Sequence, residues 1–210
     1  LYDLGIGKAD VRPNLAMGEA AAAAATDGPV AEGSVGAGTG ATVGKIFGMK
    51  QAMKSGVGSF TVALSGGVLV SALVAVNALG DVRDPSSGKI IAGARKAEGS
   101  RDFADSDAQM KRGGSSFERS SHTTLAVVAT NAKLGKVQAT KLAQFGSLGV
   151  ARAIYPVNTM FDGDITFALS IGDKTADINA LGSAAAEAVT QAILRAVKQA
   201  KSLGGAPGLG

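Results

Sequence analysis

Residues 60–80 run from Phe60 to Gly80 without a single charged side chain, and this stretch limits the possible folds more than any other part of the sequence. It is long enough to cross a bilayer as one helix. However, Gly66-Gly67 splits the run, and valine is its commonest residue. Both features fit two buried strands joined by a turn better than a helix. Asn77, near its end, would also need a hydrogen-bonding partner in lipid. A sheet is therefore expected here, and no membrane association.

The segments on either side alternate between helix and strand. Residues 10–28 read as a helix, with Pro13 in its first turn, an alanine run over 20–25 and Gly28 as its stop. So apolar a run is expected to pack on a sheet rather than face water. The glycines at 33, 36, 38, 40 and 44 mark a loop or irregular strand in which backbones approach closely. A turn is predicted over 84–88 and a short strand over 89–92, and the polar residues 96–121 read as an exposed, mobile linker. Beyond it the pattern predicts a strand over 123–130, a helix over 134–148, a strand over 163–170 and a long helix over 177–202, with a flexible tail over 204–210. The fold class is α/β or α+β, and the length suits one domain. Aromatic residues make up only 4% of the chain, so its core must be built from Ala, Val, Leu and Ile.

Several kinds of chemistry are excluded at once. The chain has no Cys, which removes disulfides, thiolate metal sites and thiol catalysis. Its one histidine, His122, rules out a multi-histidine metal site, and no cofactor is expected. The net charge of +4 is modest and its basic residues are scattered, so nucleic acid is not implied. Gly36-x-Gly38-x-x-Ala41 loosely matches a dinucleotide fingerprint, but the acidic residue about 20 positions on is missing. A phosphate loop would need Gly at 39 and Ser or Thr at 46, where the chain has Thr39 and Ile46.

The remaining motifs are modest when taken singly. Asp162-Gly163-Asp164 reads as a turn, since calcium-loop spacing does not continue into the apolar strand that follows. Asn77 reads as a buried amide needing partners, and Lys45 as a surface lysine. His122-Thr123-Thr124 opens a strand and, alone, says no more.

Together they resemble the L-aminopeptidase/D-esterase family, which includes β-peptidyl aminopeptidases and nylon-oligomer hydrolases. The resemblance is carried by residues 122–134 and 151–170, and upstream by residues 2–7, 36–45 and 76–82 in the family's order. It implies a four-layer αββα sandwich of the N-terminal-nucleophile hydrolase type. It also implies a precursor that cuts itself before a Ser or Thr, here between His122 and Thr123. Residues 1–122 would then be the C-terminal part of the larger subunit and residues 123–210 the smaller one. The chain begins at Leu1 rather than Met, and a preceding segment of the same precursor is expected.

By the same resemblance Tyr2, Lys45, Asn77, Asp162 and Asp164 line the active site around Thr123. A threonine hydroxyl is a weak nucleophile that needs a base, and a free α-amine with pKa of about 7.7–8.0 can serve. Asn77 is expected to donate to an oxyanion, Lys45 to favour the deprotonated nucleophile, and Asp162 and Asp164 to orient the amine. Tyr2 is expected to donate to substrate. Two positions depart from the family's usual residues: His122 stands before the cut in place of Asn or Gly, and Asn158 in place of His. The expected activity is hydrolysis of small peptides, amino-acid amides or amide oligomers by a homo-oligomer, with a tetramer implied by the family. An acyltransferase on the related fold and an unprocessed binding protein are the alternatives. The cytoplasm is expected, as no export signal is visible.

Overall fold

The computed structural model describes residues 6–8, 10–113 and 122–210. Their elements, in chain order, are α1 (Leu15–Ala23), β1 (Thr42–Val43), β2 (Met53–Lys54), β3 (Val57–Leu64), β4 (Val68–Asn77), β5 (Asp81–Arg83), β6 (Ile90–Ala92), α2 (Ser106–Lys111), β7 (Thr123–Ala132), α3 (Lys136–Ala153), β8 (Ile154–Tyr155), β9 (Ile165–Lys174) and α4 (Ile178–Lys198).

The uncharged run forms the antiparallel hairpin β3–β4, which turns at Gly66 and Gly67, both at positive φ. A β-branched or bulky residue is strained there, and glycine is not. β7 pairs antiparallel with β4, and β9 adds in parallel to β7, giving the order β3-β4-β7-β9. A parallel pair needs a crossover, and α3 provides it. α3 and α4 lie side by side on one face of this sheet, where Val70, Val74, Val76, Ala126 and Val128 meet Leu181, Val189, Ile193 and Val197. β5, β6 and β8 form a small second sheet in the order β6-β5-β8.

The period of two in each strand sends every other side chain away from the helices. That opposite face carries Leu69, Leu73, Ile165, Phe167, Leu169 and Ile171, all exposed. It is an apolar surface of the kind on which a second sheet packs. The described residues thus hold one helix layer and one sheet layer of an α+β fold. The sequence reading of 60–80 as buried strands is accurate for one face only.

The helix layer sits close against the sheet because small residues allow it. A methyl group at Gly58 of β3 would run into the backbone carbonyl of Ala192 in α4. Gly58→Val is therefore expected to lower stability by about 3 kcal/mol or more, since a rigid backbone cannot yield to overpacking. Urea unfolding measures it, and an unchanged midpoint would contradict this packing.

Three sequence expectations are corrected. The first helix is shorter than predicted and none of its residues is buried. It starts where the Asn14 side chain accepts the Met17 N–H at 3.0 Å, and Pro13 lies outside it. Alanine makes helix readily, yet its small side chain gives little area to bury. Residues 96–113 are not a loose linker. The buried Asp81 carboxylate accepts the Ala94 and Ser106 N–H groups at 2.8 and 2.7 Å and the Ser106 hydroxyl at 2.6 Å, which anchors α2. Burial pushes this carboxyl above its ordinary range despite those bonds. Residues 114–121 of the expected linker lie outside the described residues. Finally, the glycine-rich tail is tied down: Ala206 is buried, the Pro207 carbonyl accepts the Lys54 N–H at 2.8 Å, and Gly210 N–H donates to Ala200 at 2.9 Å.

Candidate active site

Strand register brings the two central residues together. Thr123 opens β7 and stands directly opposite Asn77, the last residue of β4. Directly opposed residues of an antiparallel pair share a face. Here it is the helix-free face, since Thr124, Ala126 and Val128 occupy the buried positions of β7.

The glycine-rich segment fixes the Asn77 amide. Lys45 N–H and Gly44 N–H donate to the Leu79 and Gly80 carbonyls, each at 2.9 Å, so this segment runs alongside the end of β4. From there the Thr42 N–H donates to Asn77 Oδ1 at 3.0 Å and Lys45 Nζ to the same oxygen at 2.7 Å. Two donors on one atom identify it as the amide oxygen and leave Nδ2 as the donor end of the side chain. Asn77 and Lys45 are both buried. Lys54 holds the same segment from beneath. Its ammonium is buried and donates to the carbonyls of Gly38, Ala41 and Ser55 at 2.9, 2.6 and 2.8 Å.

On the other side of Thr123, the backbone runs beside the acidic turn. His122 is buried and bridges Asp162, with His122 N–H donating to Phe161 at 3.3 Å. The His122 carbonyl oxygen accepts two donors, the Thr123 hydroxyl at 2.6 Å and the Gly163 N–H at 2.7 Å. The two carboxylates go different ways. Asp164 accepts the Thr124 N–H at 2.6 Å and the Asn158 N–H at 3.3 Å. Its carboxyl is pushed up mainly by burial, with the charge of Asp162 adding to the rise and the Thr124 bond opposing it. Asp162 instead accepts the N–H and hydroxyl of Thr159 at 3.0 and 2.7 Å. Its carboxylate closes a turn, so the paired role read from sequence is divided between two partners.

Of the expected site residues, Thr123, His122, Asn77, Lys45 and Asp164 thus gather at one end of β4 and β7, Asp162 follows with its backbone, and Tyr2 lies outside the described residues. Sequence reasoning missed Thr42, Gly163 and Lys54. The first two act through backbone N–H groups, which side-chain identity does not announce. Lys54 belongs to no motif in the sequence, and only its burial and its bonds to three backbone carbonyls distinguish it.

The model of peptidase family S58 matches residues 5–209 of the chain. An uncharacterised aminopeptidase of Mycobacterium leprae is 34% identical, over 99% of this chain and 62% of its own length. An uncharacterised aminopeptidase of Mycobacterium tuberculosis is 33% identical, over 99% of this chain and 64% of its own. The chain therefore spans less than two thirds of the curated relatives it matches. Among solved structures, a β-aminopeptidase of Burkholderia sp. superposes with a TM-score of 0.61 at 30% identity, covering 93% of this chain and 55% of that one. The L-aminopeptidase D-Ala-esterase/amidase of Ochrobactrum anthropi, described as a variant of the N-terminal-nucleophile hydrolase fold, superposes with a TM-score of 0.59. At 24% identity, over 87% of this chain and 48% of that one, it bears on the fold alone.

Proposed function

The chain belongs to peptidase family S58, and on that premise we propose that it is the nucleophile-bearing part of a self-processing amide hydrolase of aminopeptidase type. Thr123, freed as a new N-terminus by cleavage after His122, is the nucleophile. The observation that supports this most is the seating of the Thr123 hydroxyl 2.6 Å from the His122 carbonyl oxygen, directly opposite Asn77. A hydroxyl so placed lies against the peptide group that it would attack.

Cleavage changes what Thr123 can do. Its nitrogen is an amide in the intact chain and cannot take a proton. As a free amine, with pKa of about 7.7–8.0, it takes the proton of the hydroxyl as that oxygen attacks a substrate carbonyl. Asn77 Nδ2 donates to the oxyanion formed. Lys45, bonded to Oδ1 of the same amide, draws electron density toward that oxygen and so strengthens the Nδ2 donor. Asp164 holds the backbone next to the new amine through the Thr124 N–H. The acyl group on Thr123 is then released by water. Tyr2 as a substrate contact and a homo-oligomeric assembly remain part of this reading on family resemblance.

An aminopeptidase needs the free amine of its substrate. We expect the full-length protein to release p-nitroaniline from amino-acid p-nitroanilides, and to lose at least about tenfold in kcat/KM when the substrate amine is acetylated, the worth of one charged contact. Equal rates on both substrates would exclude the aminopeptidase reading. Faster consumption on adding an amine acceptor, with acyl-amine product, would instead identify an acyltransferase.

A further inference from the structure

We propose that the backbone N–H of Gly163 is the oxyanion donor for self-cleavage at His122–Thr123, a task separate from that of Asn77. The proposal rests on the reading of Thr123 as nucleophile.

In the first step the Thr123 hydroxyl oxygen bonds to the His122 carbonyl carbon, and the π electrons of the carbonyl move onto its oxygen. That oxygen already accepts the Gly163 N–H at 2.7 Å, within the range of about 2.7–3.1 Å at which such donors act. When the electrons return, the bond from His122 carbon to Thr123 nitrogen breaks, and the proton of the hydroxyl ends on that nitrogen. Water then hydrolyses the resulting ester, giving the His122 carboxylate and Thr123 with free amine and hydroxyl.

The residues on either side of Gly163 hold this donor still. The Asp162 carboxylate closes the turn through Thr159, at 3.0 and 2.7 Å. Asp164 ties the following residue to the Thr124 N–H at 2.6 Å. A donor fixed from both sides needs no reorganisation when charge develops, which is where such donors gain most. This gives Asp162-Gly163-Asp164 a reason to be acid-glycine-acid beyond forming a turn. The glycine has a second reason. A Cβ at 163 would stand 3.0 Å from the Thr123 hydroxyl oxygen and 3.7 Å from the His122 carbonyl oxygen, crowding the attacking atom. Its φ is not in the left-handed region, so the backbone itself accepts other residues.

The test compares two variants of the full-length chain, following conversion of uncut to cut chain by intact mass. Gly163→Ala adds the methyl group and keeps the N–H, whereas Gly163→Pro adds bulk and removes it. We expect Gly163→Ala to cut more slowly than wild type, and Gly163→Pro to cut at least about a hundredfold more slowly than Gly163→Ala. Equal rates for the two variants, in a wild type that cuts and a Thr123→Ala variant that does not, overturn the Gly163 role and leave the nucleophile standing. An uncut wild type overturns both. In case the proline variant does not fold, amide hydrogen exchange on the uncut Thr123→Ala chain gives a second answer. Slow exchange at Gly163 supports the hydrogen bond to His122, and exchange as fast as an exposed loop refutes it.

Discussion

Thr123→Ala is expected to yield a single uncut chain without measurable amide turnover. Alanine keeps the strand pairing with Asn77, because the β7–β4 register runs through backbone groups and does not involve the hydroxyl. What disappears is the oxygen lying 2.6 Å from the His122 carbonyl oxygen. Without it neither the ester at 122–123 nor an acyl-enzyme can form, so both reactions stop together. The loss should exceed a thousandfold, since removal of a nucleophile costs far more than removal of one supporting donor. Thr123→Ser keeps the oxygen and should retain both reactions. Turnover near wild type in the alanine variant would remove Thr123 from the mechanism.

The second large effect is at Asn77. Asn77→Asp keeps an oxygen where Oδ1 accepts Thr42 N–H and Lys45 Nζ, at 3.0 and 2.7 Å, but replaces the Nδ2 donor by an acceptor. We expect the folded, cut protein to lose about a hundred- to a thousandfold in kcat, the usual worth of one oxyanion donor. Asn77→Ala should lose as much turnover and also lose stability, by about 1–3 kcal/mol, because it withdraws the acceptor from two buried donors. The pair separates chemistry from support. If the aspartate variant turned over at the wild-type rate, Asn77 would be a structural amide and the oxyanion would need another donor.

The sequence disclosed the parts of this fold where pattern and packing agree. Valine-rich β3 and β4, the glycine turn between them and the apolar stripe of α4 all follow from the sequence pattern. β7, α3, β9 and α4 lie within a few residues of their predicted limits, whereas the short strand β8 was not expected. Expectation failed where a local preference was taken as a packing statement. The alanine run of α1 is helical but covers nothing, and the glycine-rich tail is held by backbone hydrogen bonds that composition cannot reveal. The polar residues 96–113 were misread for a related reason. One buried carboxylate, Asp81, accepts both donors of Ser106 and the N–H of Ala94 just upstream, and its position depends on the tertiary fold.

The site divides in the same way. Composition and spacing alone left Asn77, Lys45 and Thr123 unremarkable, and the family resemblance grouped them. Their pairing at the ends of β4 and β7 depends on strand register, which is a property of the sheet. The resemblance to L-aminopeptidases and D-esterases is borne out by the family match over residues 5–209 and by the aminopeptidase fold of the structural neighbours. It did not anticipate that Asp162 and Asp164 serve different partners, because side-chain direction within a turn is set by its hydrogen bonds.

The central claim is that Thr123 becomes an N-terminus, and the mass of the chain reads this directly. Full-length protein, purified and then measured intact under denaturing conditions, is predicted to give a fragment with the mass of residues 123–210, together with the complementary upstream piece. A single uncut mass, unchanged after prolonged incubation of the native protein, would contradict the account and leave a member of the family fold without its nucleophile.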